Sequence, residues 1–100
     1  MSAKLFVVMR TRGPAWTEAL AMEEQVDWQL HADFMNALQA EGFALLAGPL
    51  AGTRDVLLVL RAGSAAEVEA RLAEDRWSVK GLLRTLWIKP WGLRLGTLGP

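Results

Sequence analysis

The chain predicts a single α+β domain over residues 1–100, with its elements in the order β-α-β-β-α-β. Three observations carry this. Four apolar runs have strand length, two intervening segments space their apolar residues at helical intervals, and Gly, Pro or capping residues stand at the boundaries. With 52% hydrophobic residues, the chain has the material for one core.

The run KLFVVMR, residues 4–10, is a first strand that gives way to a loop at Gly13 and Pro14 in TRGPAW. From about Glu23 to Glu41 the pattern is helical. Val26, Leu30, Phe34, Ala37 and Leu38 form one side, with Gln25, Gln29, Asp33, Asn36 and Gln39 opposite, and Gly42 stops the helix. FALLAGPL and RDVLLVLRA read as a hairpin around Ala51, Gly52 and Thr53, and Pro49 assigns the earlier strand to a sheet edge because it cannot donate to a ladder. SAAEVEARLAED opens with Ser64 as N-cap and Glu67 three residues on, and Val68 and Leu72 continue a second helix. DRWSVKG adds a short turn over Asp75–Val79, and LLRTLWIKPW is a last strand that Pro90 ends. The tail GLRLGTLGP has no regular pattern.

Two split β-α-β units of this kind form a ferredoxin-like fold: a four-stranded antiparallel sheet with both helices on one face, the first and third strands central. Those two strands are apolar at every position from Leu5 to Met9 and from Val56 to Leu60. Alternate side chains point to opposite faces, so the face without helices is also apolar. Covering it favours a homodimer packed through the open sheet faces, since each large apolar side chain removed from water contributes about 1.5–3 kcal/mol.

Eleven basic residues balance eleven acidic ones, which argues against nucleic acid as a partner. There are no cysteines and one histidine, so no metal site is expected. The first apolar run is too short for a secretory or membrane-spanning segment, and a cytoplasmic protein without membrane contact is expected.

The single histidine, His31, falls inside the apolar arc of its helix, in DWQLHADFMNAL. An imidazole there is either a core group satisfied by a hydrogen bond or a proton-exchanging group at the floor of a cleft, oriented by a carboxylate. Two carboxylates are candidates for that partner: Asp27, four residues earlier, and Asp75, which also suits the N-cap of the following turn. Spacing does not choose between them. Trp28 and Trp77 offer either a flat wall for a ligand or ordinary packing. Arg10 and Arg12, at the end of the first strand, can meet a ligand carboxylate or phenolate or remain solvated. Trp16 can plug the cleft if TRGPAW acts as a lid, or pack at a dimer edge. Gly13 alone does not make a phosphate loop.

HADFMNALQAEGFALLAGPL, followed by EDRWSVKGLLRTLWIKPW, resembles the YciI-like (YCII-related) family of small bacterial proteins. His31, Phe34, Met35, Leu38 and Gly42 match the family's helix, Gly48 and Pro49 its apolar strand, Asp75 and Trp77 its Asp-Pro-aromatic turn, and Pro90 and Trp91 its closing strand. Arg76 stands where the family has proline. The resemblance spans about residues 4–91 and implies a ferredoxin-like dimer of the αβ-barrel kind with His31 and Asp75 as an active-site pair. It also implies a chemistry related to dehydrochlorination of a chlorinated hydroxyaromatic.

A His–Asp pair leaves one imidazole nitrogen as a base near neutral pH. The first expectation is therefore a cofactor-free lyase, isomerase or dehydrochlorinase acting on a small hydroxyaromatic or keto acid, with His31 and Asp75 catalytic and Arg10, Trp28 and Trp77 around the substrate. The alternatives are a binder of small apolar acids in which His31 only hydrogen-bonds the ligand, and a regulatory domain whose histidine is structural.

Overall fold

The computed structural model describes residues 4–98 of the chain. The ends of the 1–100 span, residues 1–3 and 99–100, lie outside the described residues. Strands β1 (Lys4–Arg12), β2 (Ala44–Pro49), β3 (Asp55–Ala62) and β4 (Leu83–Pro90) form one antiparallel sheet in the order β2-β3-β1-β4. Three helices accompany it: α1 (Trp28–Ala40), α2 (Ala65–Leu72) and the single turn α3 (Arg76–Val79). The first and third strands are central, and the two proline-ended strands are the edges. Among the described residues no helix is long and apolar enough to cross a membrane.

Strand alternation sorts β1 and β3 into two rows. Phe6, Val8, Leu58, Leu60 and Ala62 are buried in one cluster with Leu38 of α1 and Val68 and Leu72 of α2, so this row faces the helices. Leu5, Val7, Met9 and Leu57 belong to the other row and are only partly covered. A second cluster, of Trp16, Trp77, Leu82 and Leu83, lies at the end of the sheet where β1 runs into its loop.

Helix α1 starts later than the expected Glu23. Met22–Glu24 form one 3-10 turn, and the chain then leaves helical geometry, with Asp27 at φ 59°. Gln25, expected on the solvent side, is 4% exposed because its amide bonds the backbone of Thr17 and Leu20, tying the segment to the preceding loop. The expected apolar stripe is also rotated. Val26 and Leu30 are 54% and 52% exposed and Ala37 is exposed, whereas Phe34 and Leu38 of the expected stripe do pack inward, on a side that also carries Trp28, His31 and Met35. These positions follow three- and four-residue steps as well as the expected set does, and only packing distinguishes the two. The helix stops at Gly42, whose φ of 81° is strained for any side chain.

Ser64 caps α2 by accepting the Glu67 amide at 3.1 Å, while the Glu67 carboxylate reaches back to the Gly63 amide at 2.7 Å. At the other end of the sheet, the β1 loop packs backbone to backbone on the chain entering β4. Gly13 N donates to Leu82 O at 2.7 Å and Ala15 N to Gly81 O at 3.1 Å. A Cβ on Gly13 would collide with the Gly81 carbonyl, so this glycine serves a close backbone approach. The register of β1 on β4 shifts between Met9 and Arg10, leaving Leu86 as the extra residue of a bulge beside the second cluster.

Candidate functional site

The alternation that turns Phe6 and Val8 toward the helices does the same to Arg10, which is 1% exposed. A guanidinium buried there needs acceptors, and the turn after α2 supplies them. Asp75 caps α3, with Oδ1 accepting the Trp77 amide at 3.1 Å. Its Oδ2 accepts Arg10 Nη1 at 3.0 Å, and Arg10 Nη2 donates to Ser78 Oγ, whose own hydroxyl donates to Leu72 O at 2.8 Å. This capping geometry and the Arg10 ion pair hold the turn that Arg76 opens.

His31 completes the group. Its Nδ1 lies 2.9 Å from both carboxylate oxygens of Asp75, which is fully buried. Asp27 is occupied elsewhere: its carboxylate pairs with Lys80 at 2.8 Å and Arg76 at 3.6 Å. Of the two carboxylates left open by spacing, Asp75 is the one in contact. Burial pushes the Asp75 carboxyl upward, but its hydrogen bonds and charge interactions with His31, and then with Arg10, outweigh this and hold it below the usual carboxylate range. Burial lowers the Arg10 guanidinium against the pull of Asp75, from so high an ordinary value that the pair is ionised at neutral pH.

An ionised carboxylate only accepts, so Nδ1 carries the proton of the neutral imidazole and Nε2 is the unprotonated nitrogen. Trp77, 1% exposed, stacks flat on the ring, with centroids 3.9 Å apart and planes 6° from parallel. Trp77 is fixed by its own Nε1, which donates to Val26 O at 2.7 Å, and by the edge of Trp16 at 5.4 Å. That carbonyl is free because Val26 is outside the helix. Trp28 lies 6.0 Å from His31 and 5.7 Å from Trp77.

The His31 side chain is 12% exposed and lines a cavity of about 330 Å³ between α1, the start of β3 and the β1 loop. Trp16, Trp28, Met35, Val56 and Leu83 supply its apolar wall, and Arg10, Arg12, Arg54 and Asp55 its charged groups. Arg10, Trp28, His31 and Trp77, singled out from the sequence, all border this space, and Asp75 lies behind the imidazole. Trp16 is 7% exposed, so it packs inside the site. Sequence reasoning missed Ser78, the second anchor of Arg10, and Arg54, which becomes a neighbour of the site through pairing of β3 with β1. The role of Arg10 as an inward charge was available from the period of two through Phe6, Val8 and Arg10.

Among the described residues no group of three His, Cys, Asp or Glu side chains is placed to hold a metal ion. Comparisons with protein-family models, curated proteins and solved structures give no match.

Proposed function

We propose that the cavity binds a small hydroxyaromatic or keto acid and that His31 acts on it as a general base, in a cofactor-free lyase or isomerase reaction. The observation that carries this is the placement of His31: Nδ1 is committed to a buried carboxylate, and the ring borders a cavity large enough for one aromatic ring. Nε2 takes a proton from a hydroxyl or from a carbon next to a carbonyl, and the Asp75 carboxylate stabilises the imidazolium that forms. In an isomerase the proton returns at another carbon; in a lyase a leaving group departs. Arg10 holds Asp75 in place and neutralises part of its charge, so it acts through the carboxylate. Trp28 lines the site, and Trp77, 1% exposed and stacked on the imidazole, orients that ring.

The strand order β2-β3-β1-β4, with α1 and α2 on one row, supports a ferredoxin-like fold, and the His31–Asp75 contact supports the resemblance to the YciI-like family. Deuterium exchange is the direct test. A panel of hydroxyaromatic and enolisable keto acids, followed by NMR in heavy water, is expected to include a compound whose carbon-bound proton exchanges with the protein present. In His31→Gln that rate is expected to fall about 10²–10⁴-fold. Binding without exchange would leave a non-catalytic binder, and equal exchange in both proteins would remove His31 from the chemistry.

The second copy in the proposed homodimer covers the outer sheet row. Leu5, Val7, Met9 and Leu57 are partly exposed there, and Leu46 of the edge strand is 56% exposed. Arg61 and Lys89 stand on the same face, paired with Leu5 and Val7, and long side chains of this kind lay their aliphatic stems along apolar surface while the charge stays in water. Sedimentation velocity at micromolar concentration is expected to show a dimer; a monomer would contradict it.

A further inference from the structure

The charged rim of the cavity, Arg12, Arg54 and Asp55, takes no part in proton transfer at His31. Arg12 is the last residue of β1 and Arg54 immediately precedes β3, and the Arg12 amide donates to Arg54 O at 3.1 Å, which brings the two side chains to one edge of the cavity. Both are paired with a single carboxylate. Glu18 places Oε2 at 3.6 Å from Arg12 Nη1, and its Oε1 accepts from Arg54 Nη1. The Arg12 guanidinium also lies over the Trp16 ring, 4.5 Å from its centroid, which holds it against the cavity wall.

This carboxylate is placed to be replaced. Glu18 is 56% exposed, as is roughly half of the Arg54 side chain at 53%, and exposed ion pairs of this kind contribute only about 0–1 kcal/mol. A ligand acid whose apolar body fills the cavity would offer the same two oxygens to the same guanidiniums, while Glu18 returns to water with little penalty. The exchange conserves charge at the rim: Glu18 lies outside the cavity lining, in which Asp55 is the anionic residue. Arg10 is unsuited to this task, because both of its terminal nitrogens are spent on Asp75 and Ser78.

We propose that Arg12 and Arg54 are the specificity clamp for an anionic substrate, and that Glu18 occupies the clamp until the substrate's own carboxylate displaces it. The inference rests on the cavity being the ligand site, and it adds the charge of the ligand and the point at which that charge is read. It gives His31 and the clamp separate tasks in one site, the imidazole for the reacting proton and the arginines for the acid.

Salicylate and salicylamide test it, since they share a ring and a hydroxyl and differ in the carboxylate charge at neutral pH. Their binding is followed through the indole N–H signals of Trp16, Trp28 and Trp77 in ¹H–¹⁵N spectra. Salicylate is expected to bind the wild type about tenfold or more tighter than salicylamide, as charge-assisted hydrogen bonds to two guanidiniums require. The Arg12→Gln/Arg54→Gln double variant is expected to lose that preference, binding the two probes with similar affinity. Glu18→Gln, which removes the competing carboxylate, is expected to tighten salicylate alone. Equal binding of the two probes by the wild type would overturn the clamp while leaving the cavity a ligand site. A preference that survives the double variant would also overturn it. If neither probe moves the indole signals, the clamp and the ligand-site reading fall together.

Discussion

Replacing Asp75 with alanine is expected to destabilise the protein by about 3–5 kcal/mol, because the substitution strands a buried guanidinium. Arg10 is 1% exposed and would keep only the Ser78 hydroxyl as a partner for its terminal nitrogens. The same change uncaps α3 and releases His31. Urea denaturation measures the loss directly. Arg10→Met combined with Asp75→Leu is expected to be less damaging than Asp75→Ala alone, since removing both charges leaves no unpaired ion. The double variant still gives up the cap and the imidazole partner, so its recovery is partial. A double variant no more stable than Asp75→Ala would show that the ion pair is not the source of the loss.

The charge of Asp75 also sets a pH dependence. Its folded pKa lies below the ordinary carboxyl value of about 3.9. A depressed carboxyl contributes its stabilisation in full above the unfolded value and loses it as pH falls through the lower folded one. The stability difference between wild type and Asp75→Asn is therefore expected to be largest near neutrality and to narrow as the solution is acidified below about pH 4. An unchanged difference at pH 7 and pH 3 would assign the effect to hydrogen-bond geometry instead of charge.

Trp77→Ala is the second large effect, expected at about 3–5 kcal/mol for deleting a fully buried indole. Trp77 joins parts of the molecule that have little else in common: it stacks on His31, meets the edge of Trp16, and bonds the Val26 carbonyl outside the start of α1. Its loss is expected to free the imidazole as well as weaken the core. Trp77→Phe separates these roles. It retains a ring for the stack but leaves Val26 O unpartnered, a loss of about 1–3 kcal/mol. Near-UV circular dichroism with urea denaturation reads both variants. If Trp77→Ala and Trp77→Phe are equally destabilised, the hydrogen bond dominates over the packing.

Much of this fold is written locally. Four apolar runs, the hairpin glycine, Ser64 with Glu67, and the two prolines determine which segments are strands and helices and which strands stand at the edges, because they act through backbone geometry within a few residues. The start of α1 was not legible in that way. A helical pattern continues back to Glu23, and the break depends on the Gln25 side chain capturing the backbone of Thr17 and Leu20, a contact that propensity does not register. The rotation of α1 was likewise undecided, since two overlapping apolar stripes fit the same sequence and only the sheet selects one.

At the site, the local pattern put a lone imidazole within an apolar helical arc and suited Asp75 to an N-cap, and the resemblance to the YciI-like family implied them as partners. Their contact, across 44 residues of chain, and the sharing of the carboxylate with Arg10 arise from the packing of α1 and β1 against the α3 turn. A buried charge is tolerated only where its counter-charge arrives. Strand alternation carries Arg10 inward, but its counter-charge belongs to a turn 65 residues away, and no local pattern contains that meeting.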